Sequence, residues 1–383
     1  MTAAIVGIGQ TEFSKDAGRS ELQLACEAVR AALTDAQLQP RDIDGLVSYT
    51  IDPVEEVELV RSLGIADLSF SSRVPYGGSG AVATLTHAAA ALDSGAADVV
   101  VVYRALRSRS GSRFGGAKTE PSPTSAHSGT TSRQWCMPFG ILTPASWMAL
   151  NARVYMERFG VTNRDIGQLS VQMRKHAATN PNAWYYERPL TIDEHQESRW
   201  IVEPVLRRPD CCQETDGSVA VILTRDDRAR HLPMPPVTVA HACMAALFEA
   251  EVATDHYRAD LSVMEGSAAL ARRLWSRSGL GARDVDVALI YDAFAPMLMM
   301  QLEAWGFCGP GEAKDLVADG HLDLGGDTPC NTHGGLIGEG YIHGLNLVSE
   351  AVRQLRGVAA NQVQGAARAL VAGGRGAAIL TTA

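Results

Sequence analysis

A chain of 383 residues is long enough to bury two core-bearing units. With 46% hydrophobic and 20% charged residues, its composition is that of a soluble globular protein rather than a disordered or fibrous one. A formal net charge of -9 argues against a general nucleic-acid binder, which needs a basic face. No apolar run approaches the ~20 residues needed to span a bilayer. The opening MTAAIVGIGQTEF lacks a basic n-region and a cleavage site, so the expected location is the cytoplasm. Seven cysteines, at 26, 136, 211, 212, 243, 308 and 330, form no CxxC pair, so neither a disulfide scaffold nor a metal site is expected.

In chain order, short apolar runs alternate with amphipathic helical stretches, the pattern of a layered α/β fold. Residues 3–8 (AAIVGI) read as a buried strand. Residues 20–36 carry Leu22, Ala25, Cys26, Val29 and Leu33 at helical spacing, with Ser20 as the N-cap. DGLVSY (44–49) predicts a second strand, GSGAVATLTHAAAALDSG (78–95) a small-residue helix that can pack closely on a sheet, and DVVVVYRA (98–105) a strand buried on both faces. From about 106 to 145 regularity lapses into a stretch rich in Ser, Gly, Arg and Pro. A helical stretch follows at 145–180, then a polar segment to about 212. A lapse of this length inside a compact protein is usually functional or covers something. SVAVILTRD (218–226) restores the strand pattern.

The second half repeats the first. PRDIDGLVSY at 40–49 lines up with ARDVDVALIY at 282–291, each after an amphipathic helix. A glycine-rich turn, HGGLIGEG (333–340), leads into a helix at 342–356, and ARALVAGG with GAAILTT forms a final hairpin-like pair. The expected division is a first half at 1–230, with an insertion at about 106–212, and a second half at 231–383. The likeness of the halves places the site between them.

At this point the residues resemble a known family. VGIGQTEFSK, LQPRDIDGLVSY, GGSGAVATL, TDGSVAVIL, YDAF and NTHGGLIGEGYIHG fall in the order found in the sterol-carrier/lipid-transfer branch of the thiolases. The resemblance implies a thiolase fold, an α/β protein of two pseudo-symmetric halves in five layers (α/β/α/β/α) with an inserted loop domain, dimerising through the first half. The departures matter more. The family's nucleophilic cysteine falls on Gly77 in Gly77-Gly78-Ser79-Gly80, its G-H-P histidine on Tyr341, its second acid/base cysteine on Leu370, and the histidine or asparagine of its H/N-x-x-F motif on Tyr291.

Thiolysis needs a covalent acyl acceptor, and a glycine cannot be acylated. Backbone N–H groups at a helix start survive the change, so Gly77 and Gly78, with Ala372 in the Leu370–Gly374 segment, are the expected oxyanion positions. A site that stabilises a thioester enolate without carrying an acyl group suits a retro-aldol reaction, with a ketone or aldehyde as the leaving fragment. A phenol, whose reference pKa is about 10, can shuttle the hydroxyl proton of such a substrate. One of Tyr291 and Tyr341 then takes the β-hydroxyl proton, and the other donates to the enolate oxygen or reprotonates the α-carbon. The glycine-flanked turn favours Tyr341 as the base. Asp292, His333 and His343 are the supporting candidates.

The combination resembles a narrower group, the actinobacterial thiolase-like aldolases of steroid side-chain degradation. That likeness implies cleavage of a 17-hydroxy steroid bearing a three-carbon CoA thioester, giving a 17-keto steroid and propionyl-CoA. It also implies a partner with an OB-fold (DUF35) domain and no cofactor beyond the CoA of the substrate.

Other readings of the same residues stay open. The tyrosines could simply pack, and either histidine could be structural. Arg104, Arg107, Arg109 and Arg113, with Lys118, form the dense basic cluster of an acidic chain; they could bind CoA phosphates or form a solvated or docking surface. Gly7-x-Gly9 is half a dinucleotide fingerprint without the third glycine. Gly-Gly-Ser79-Gly resembles a nucleophile elbow, a hydrolase alternative, although Ala81 stands where its second glycine belongs. Loss of the cysteines also permits a non-catalytic acyl-CoA or lipid-binding subunit.

Overall fold

The computed structural model describes residues 3–75, 77–111, 136–247, 256 and 258–382. Its centre is a nine-stranded sheet among the described residues, in the order β3-β2-β4-β7-β1-β8-β11-β10-β9. The strands are β1 (Ala3–Gln10), β2 (Gly45–Tyr49), β3 (Phe70–Val74), β4 (Val99–Arg107), β7 (Asp216–Arg225), β8 (Val237–Met244), β9 (Val287–Ile290), β10 (Arg368–Ala372) and β11 (Gly376–Thr382). A small separate pair, β5 (Trp200–Val202) and β6 (Leu206–Arg207), lies in the insertion.

The unbroken apolar reading of the 98–105 run follows from burial on both faces. Val100 and Val102 of β4 enter one core, whereas Val99, Val101 and Tyr103 enter the other. In β7, Val219, Val221 and Leu223 likewise alternate with Ala220 and Ile222. The Glu21–Ala36 helix, capped by Ser20, covers the outer face of the first half.

The two halves meet where β1 pairs antiparallel with β8 over Ala4↔Thr238 and Ile5↔Val237. Between them run two buried helices, Ala83–Ser94 and Leu345–Arg356, each packing on strands of both halves. The Glu265–Ser278 helix covers β8 and β11 from outside. The resulting stack of helix, first-half strands, paired helices, second-half strands and helix, with the strands joined at β1–β8, is the five-layer arrangement the resemblance implied. The internal repeat has a structural counterpart: a 3-10 turn at Pro40–Asp42 leads to β2, and one at Ala282–Asp284 leads to β9.

Several details differ from expectation. The helical stretch at 145–180 is two helices, Pro144–Phe159 and Asn163–Ala178. Gly160, at φ +67°, ends the first, and Thr162 caps the second through a capping box. β3 was not foreseen because FSSRV is a half-exposed edge strand without a hydrophobic alternation. β8 also lacked a clear signal in its mixed VTVAHACM.

The Gly7-x-Gly9 pair proves to be a packing device. A Cβ on Gly9 would lie 2.2 Å from the Ala28 carbonyl oxygen and 2.4 Å from the Ala32 nitrogen, so β1 and the Glu21–Ala36 helix touch backbone to backbone. Gly9→Ala should therefore destabilise the fold by roughly 1–3 kcal/mol, measured as a lowered midpoint in urea unfolding.

Candidate active site

The site forms where the amino-terminal ends of the two central helices converge. Chain leaving β3 makes the Gly78–Gly80 turn before the Ala83–Ser94 helix, and chain from Tyr341 to Gly344 precedes the Leu345–Arg356 helix. β9 delivers Tyr291 between them. Its N–H donates to the Ala372 carbonyl at 2.8 Å, and its own carbonyl accepts from the Gln301 amide.

The two phenols meet: Tyr291 and Tyr341 share a hydrogen bond at 2.9 Å. Tyr291 is buried, with its ring held between glycine backbones. A Cβ at Gly78 would lie 2.0 Å from the Tyr291 hydroxyl, and one at Gly344 would lie 2.9 Å from its Cδ2. Tyr341 is half-buried; its N–H donates to Thr215 Oγ1 at 3.0 Å, and its segment bridges to Glu214. Burial pushes both hydroxyls above the ordinary phenol range, and the neighbouring Tyr341 adds to the rise at Tyr291. For Tyr341, burial and then Cys212 raise it, whereas the hydrogen bond from Tyr291 and the charge of Arg104 favour its ionised form.

Gly77 stands at the head of the turn. The N–H groups of Gly80 and Ala81 close that turn on the Gly77 and Gly78 carbonyls, which leaves the N–H groups of Gly77 and Gly78 outside this bonding. Ala372, expected as an oxyanion donor, is the last residue of β10, and its carbonyl accepts the Tyr291 N–H. Leu370 is an interior residue of β10.

Of the supporting candidates, the structure brings His343 to the tyrosines. Its ring stands edge-on to Tyr341 at 5.1 Å, and its Nδ1 accepts from Arg104 Nε at 3.0 Å. Arg104 also donates through Nη1 to Asp52 Oδ2 at 2.6 Å. Asp292 faces away: its Oδ1 accepts from the Leu336 N–H at 2.8 Å and so holds the short Gly335–Gly338 helix. Burial drives its carboxyl well above the usual carboxylate range. His333 lies in a separate buried pocket, with Nε2 at 3.8 Å from Glu339 Oε2; burial, then the charge of Arg353, holds it down to about 3.

The basic cluster divides. Arg104 is 2% exposed and committed to Asp52 and His343, so it is not a surface phosphate ligand, a correction to its sequence assignment. Arg107 is half-buried and Arg109 exposed, and Asp216 Oδ1 accepts from the Arg109 and Ser110 N–H groups and fixes their turn. Arg113 and Lys118 lie outside the described residues. Sequence reasoning missed Lys15 and Arg208. Lys15 Nζ donates to the Glu214 carbonyl at 2.7 Å, and its ammonium, lowered to about 8 by burial, feels both Arg109 and Arg208. Asp52, Tyr49 and Cys212 were also missed, because nothing local in the sequence links them to the tyrosines.

Among the described residues no group of three or more potential ligands could hold a metal ion, and no helix is long and apolar enough to cross a membrane. The Gly78–Gly80 turn and the paired phenols of Tyr291 and Tyr341 thus lie together at the start of the two central helices. Comparison with known proteins gives the family. The Thiolase C-terminal domain-like family matches residues 250–382. A steroid side-chain-cleaving aldolase of Thermomonospora curvata is 49% identical over 98% of this chain and 95% of that protein. The 17-hydroxy-3-oxo-4-pregnene-20-carboxyl-CoA lyase of Mycobacterium tuberculosis is 49% identical over 98% of this chain and 96% of that protein. The solved Ltp2-ChsH2(DUF35) aldolase superposes with a TM-score of 0.93 at 47% identity, covering 100% of this chain and 98% of that one. The chain belongs to this family of thiolase-fold aldolases.

The Arg104–Asp52 pair is enclosed, at 2% and 0% side-chain exposure, so removing one partner strands a buried charge. Asp52→Ala should cost roughly 3–5 kcal/mol, visible in urea denaturation followed by circular dichroism.

Proposed function

We propose that the protein is a carbon–carbon lyase that cleaves a 17-hydroxy steroid carrying a three-carbon CoA thioester into a 17-keto steroid and propionyl-CoA. The observation that carries this reading is the 2.9 Å phenol pair set against the turn headed by Gly77, which has no side chain to acylate. In the reaction, the Tyr341 phenolate takes the 17-hydroxyl proton as the carbonyl forms at C17. The electrons of the breaking carbon–carbon bond pass into the thioester enolate, and return of that proton from Tyr341 to the α-carbon yields propionyl-CoA and restores the phenolate. Tyr291, donating to Tyr341, stabilises the phenolate before the proton moves. The Gly77 and Gly78 N–H groups face the enolate oxygen. No acyl-enzyme forms and no cofactor beyond the substrate's CoA is used.

Arg107, Arg109, Lys15 and Arg208 are placed to meet the CoA phosphates. The partner is an OB-fold (DUF35) domain, a reading supported by the DUF35 component named in the solved relative. The chain itself forms a homodimer core in the cytoplasm. Support for a lyase over a hydrolase or an acyl-CoA-binding subunit comes from relatives named as an aldolase and a lyase at 49% identity.

Incubation of the full chain, alone and with the OB-fold partner, with a 17-hydroxy steroid-CoA and detection of propionyl-CoA by mass spectrometry tests the reading directly. Tyr291→Phe and Tyr341→Phe should each lower turnover by ~10²–10⁴-fold with the circular dichroism spectrum intact; near-normal turnover in both would refute the assignment. Because the phenols are raised rather than lowered, the base form grows only at alkaline pH. The pH profile of kcat/KM should therefore climb through and beyond neutrality, without a plateau in the histidine range.

A further inference from the structure

We propose that His343 is a third catalytic group, whose Nε2–H donates to the thioester oxygen as the enolate forms, and that Asp52 and Arg104 are positioning residues that fix its tautomer. The inference rests on the lyase reading and adds a role that a packing histidine would not have.

The tautomer follows from the partner. An arginine Nε always bears a proton and cannot accept, so the 3.0 Å contact from Arg104 Nε requires an unprotonated Nδ1 on His343. The proton of the neutral ring then sits on Nε2. Arg104 cannot swing away, because its Nη1 is held by Asp52 Oδ2 at 2.6 Å and by the Ala105 carbonyl at 3.1 Å. Asp52 is fixed in turn by the Val54 N–H at 2.9 Å on its other oxygen. Burial first, then the charge of Arg104, keeps the imidazole neutral well below the usual histidine range. A neutral donor can stabilise an enolate oxygen without protonating it outright.

The direction follows from Gly77. A Cβ built there would lie 3.7 Å from Cε1 and 3.9 Å from Nε2 of His343, with the tip of Ile51 at 3.0 Å. The space a nucleophile's side chain would fill is therefore bounded by the proton-bearing edge of this imidazole. A thioester oxygen lying over the glycine turn is offered Nε2–H from one side and the backbone N–H groups from the other.

The backbone shows the same constraint. His343 adopts φ +50°, in the left-handed region that a non-glycine residue enters at a cost, and its ring is fixed edge-on against Tyr341. Such strain persists where surrounding contacts over-determine it. Here those contacts aim one nitrogen at the pocket.

The experiment uses the full chain with its OB-fold partner and propionyl-CoA labelled with ¹³C at the thioester carbonyl, read by isotope-edited infrared spectroscopy alongside turnover. In the wild type the bound carbonyl stretch falls below its value in solution. His343→Phe should reduce that shift and lower kcat by ~10²–10³-fold, with the Kd for propionyl-CoA changed by less than about threefold. His343→Gln, whose amide can place an N–H near the Nε2 position, should recover part of both. A wild-type carbonyl at its solution frequency, or His343→Phe turnover within about threefold of wild type, overturns the proposal. A wild-type protein that releases no propionyl-CoA, yet shows a carbonyl shift dependent on His343, sinks the lyase reading and leaves the donor assignment standing.

Discussion

The Tyr291 ring fills a slot walled by peptide backbone, and the organisation of the site follows from that close approach. Gly78 belongs to the first half of the fold and Gly344 to the second, and a β-carbon on either would lie within 2.9 Å of the ring. The ring therefore fits only where both turns are bare. Once seated, it brings its hydroxyl to that of Tyr341 and lies across the turn that in thiolases bears the nucleophile.

Around that slot the two halves exchange polar contacts through side chains that have left water. Asp52 and Arg104 come from the first half and His343 from the second. A buried ion pair of this kind contributes little net stability compared with well-packed apolar residues, because desolvation offsets the attraction. Its effect is on orientation: a guanidinium clamped by a carboxylate presents one fixed N–H to one ring nitrogen. The cations nearer the surface are arranged differently: Arg109 and Arg208 are exposed and Lys15 is half-buried between them and Glu214.

Much of this was legible in the sequence, for identifiable reasons. The duplicated Pro40–Asp42 and Ala282–Asp284 turns, each before a buried strand, gave away the two halves because burial on both faces leaves an unbroken apolar run. Tyr291 and Tyr341 could be singled out because each lies within a motif of local pattern. Side chains joined only by tertiary structure were out of reach: Asp52 and His343 meet through Arg104 across more than half the chain, and no spacing rule connects them. Arg104 was misjudged for the opposite reason. It is adjacent in sequence to exposed arginines, but in β4 its side chain faces the interior.

The glycine at 78 also limits what its turn can accept. A side chain there cannot coexist with the phenol of Tyr291, because its Cβ would lie 2.0 Å from the hydroxyl. Position 77 differs, since a Cβ there would first meet the tip of Ile51 at 3.0 Å and the imidazole of His343 at 3.7 Å. Two neighbouring glycines thus carry separate constraints, one enforced by an aromatic ring and the other an opening beside an imidazole.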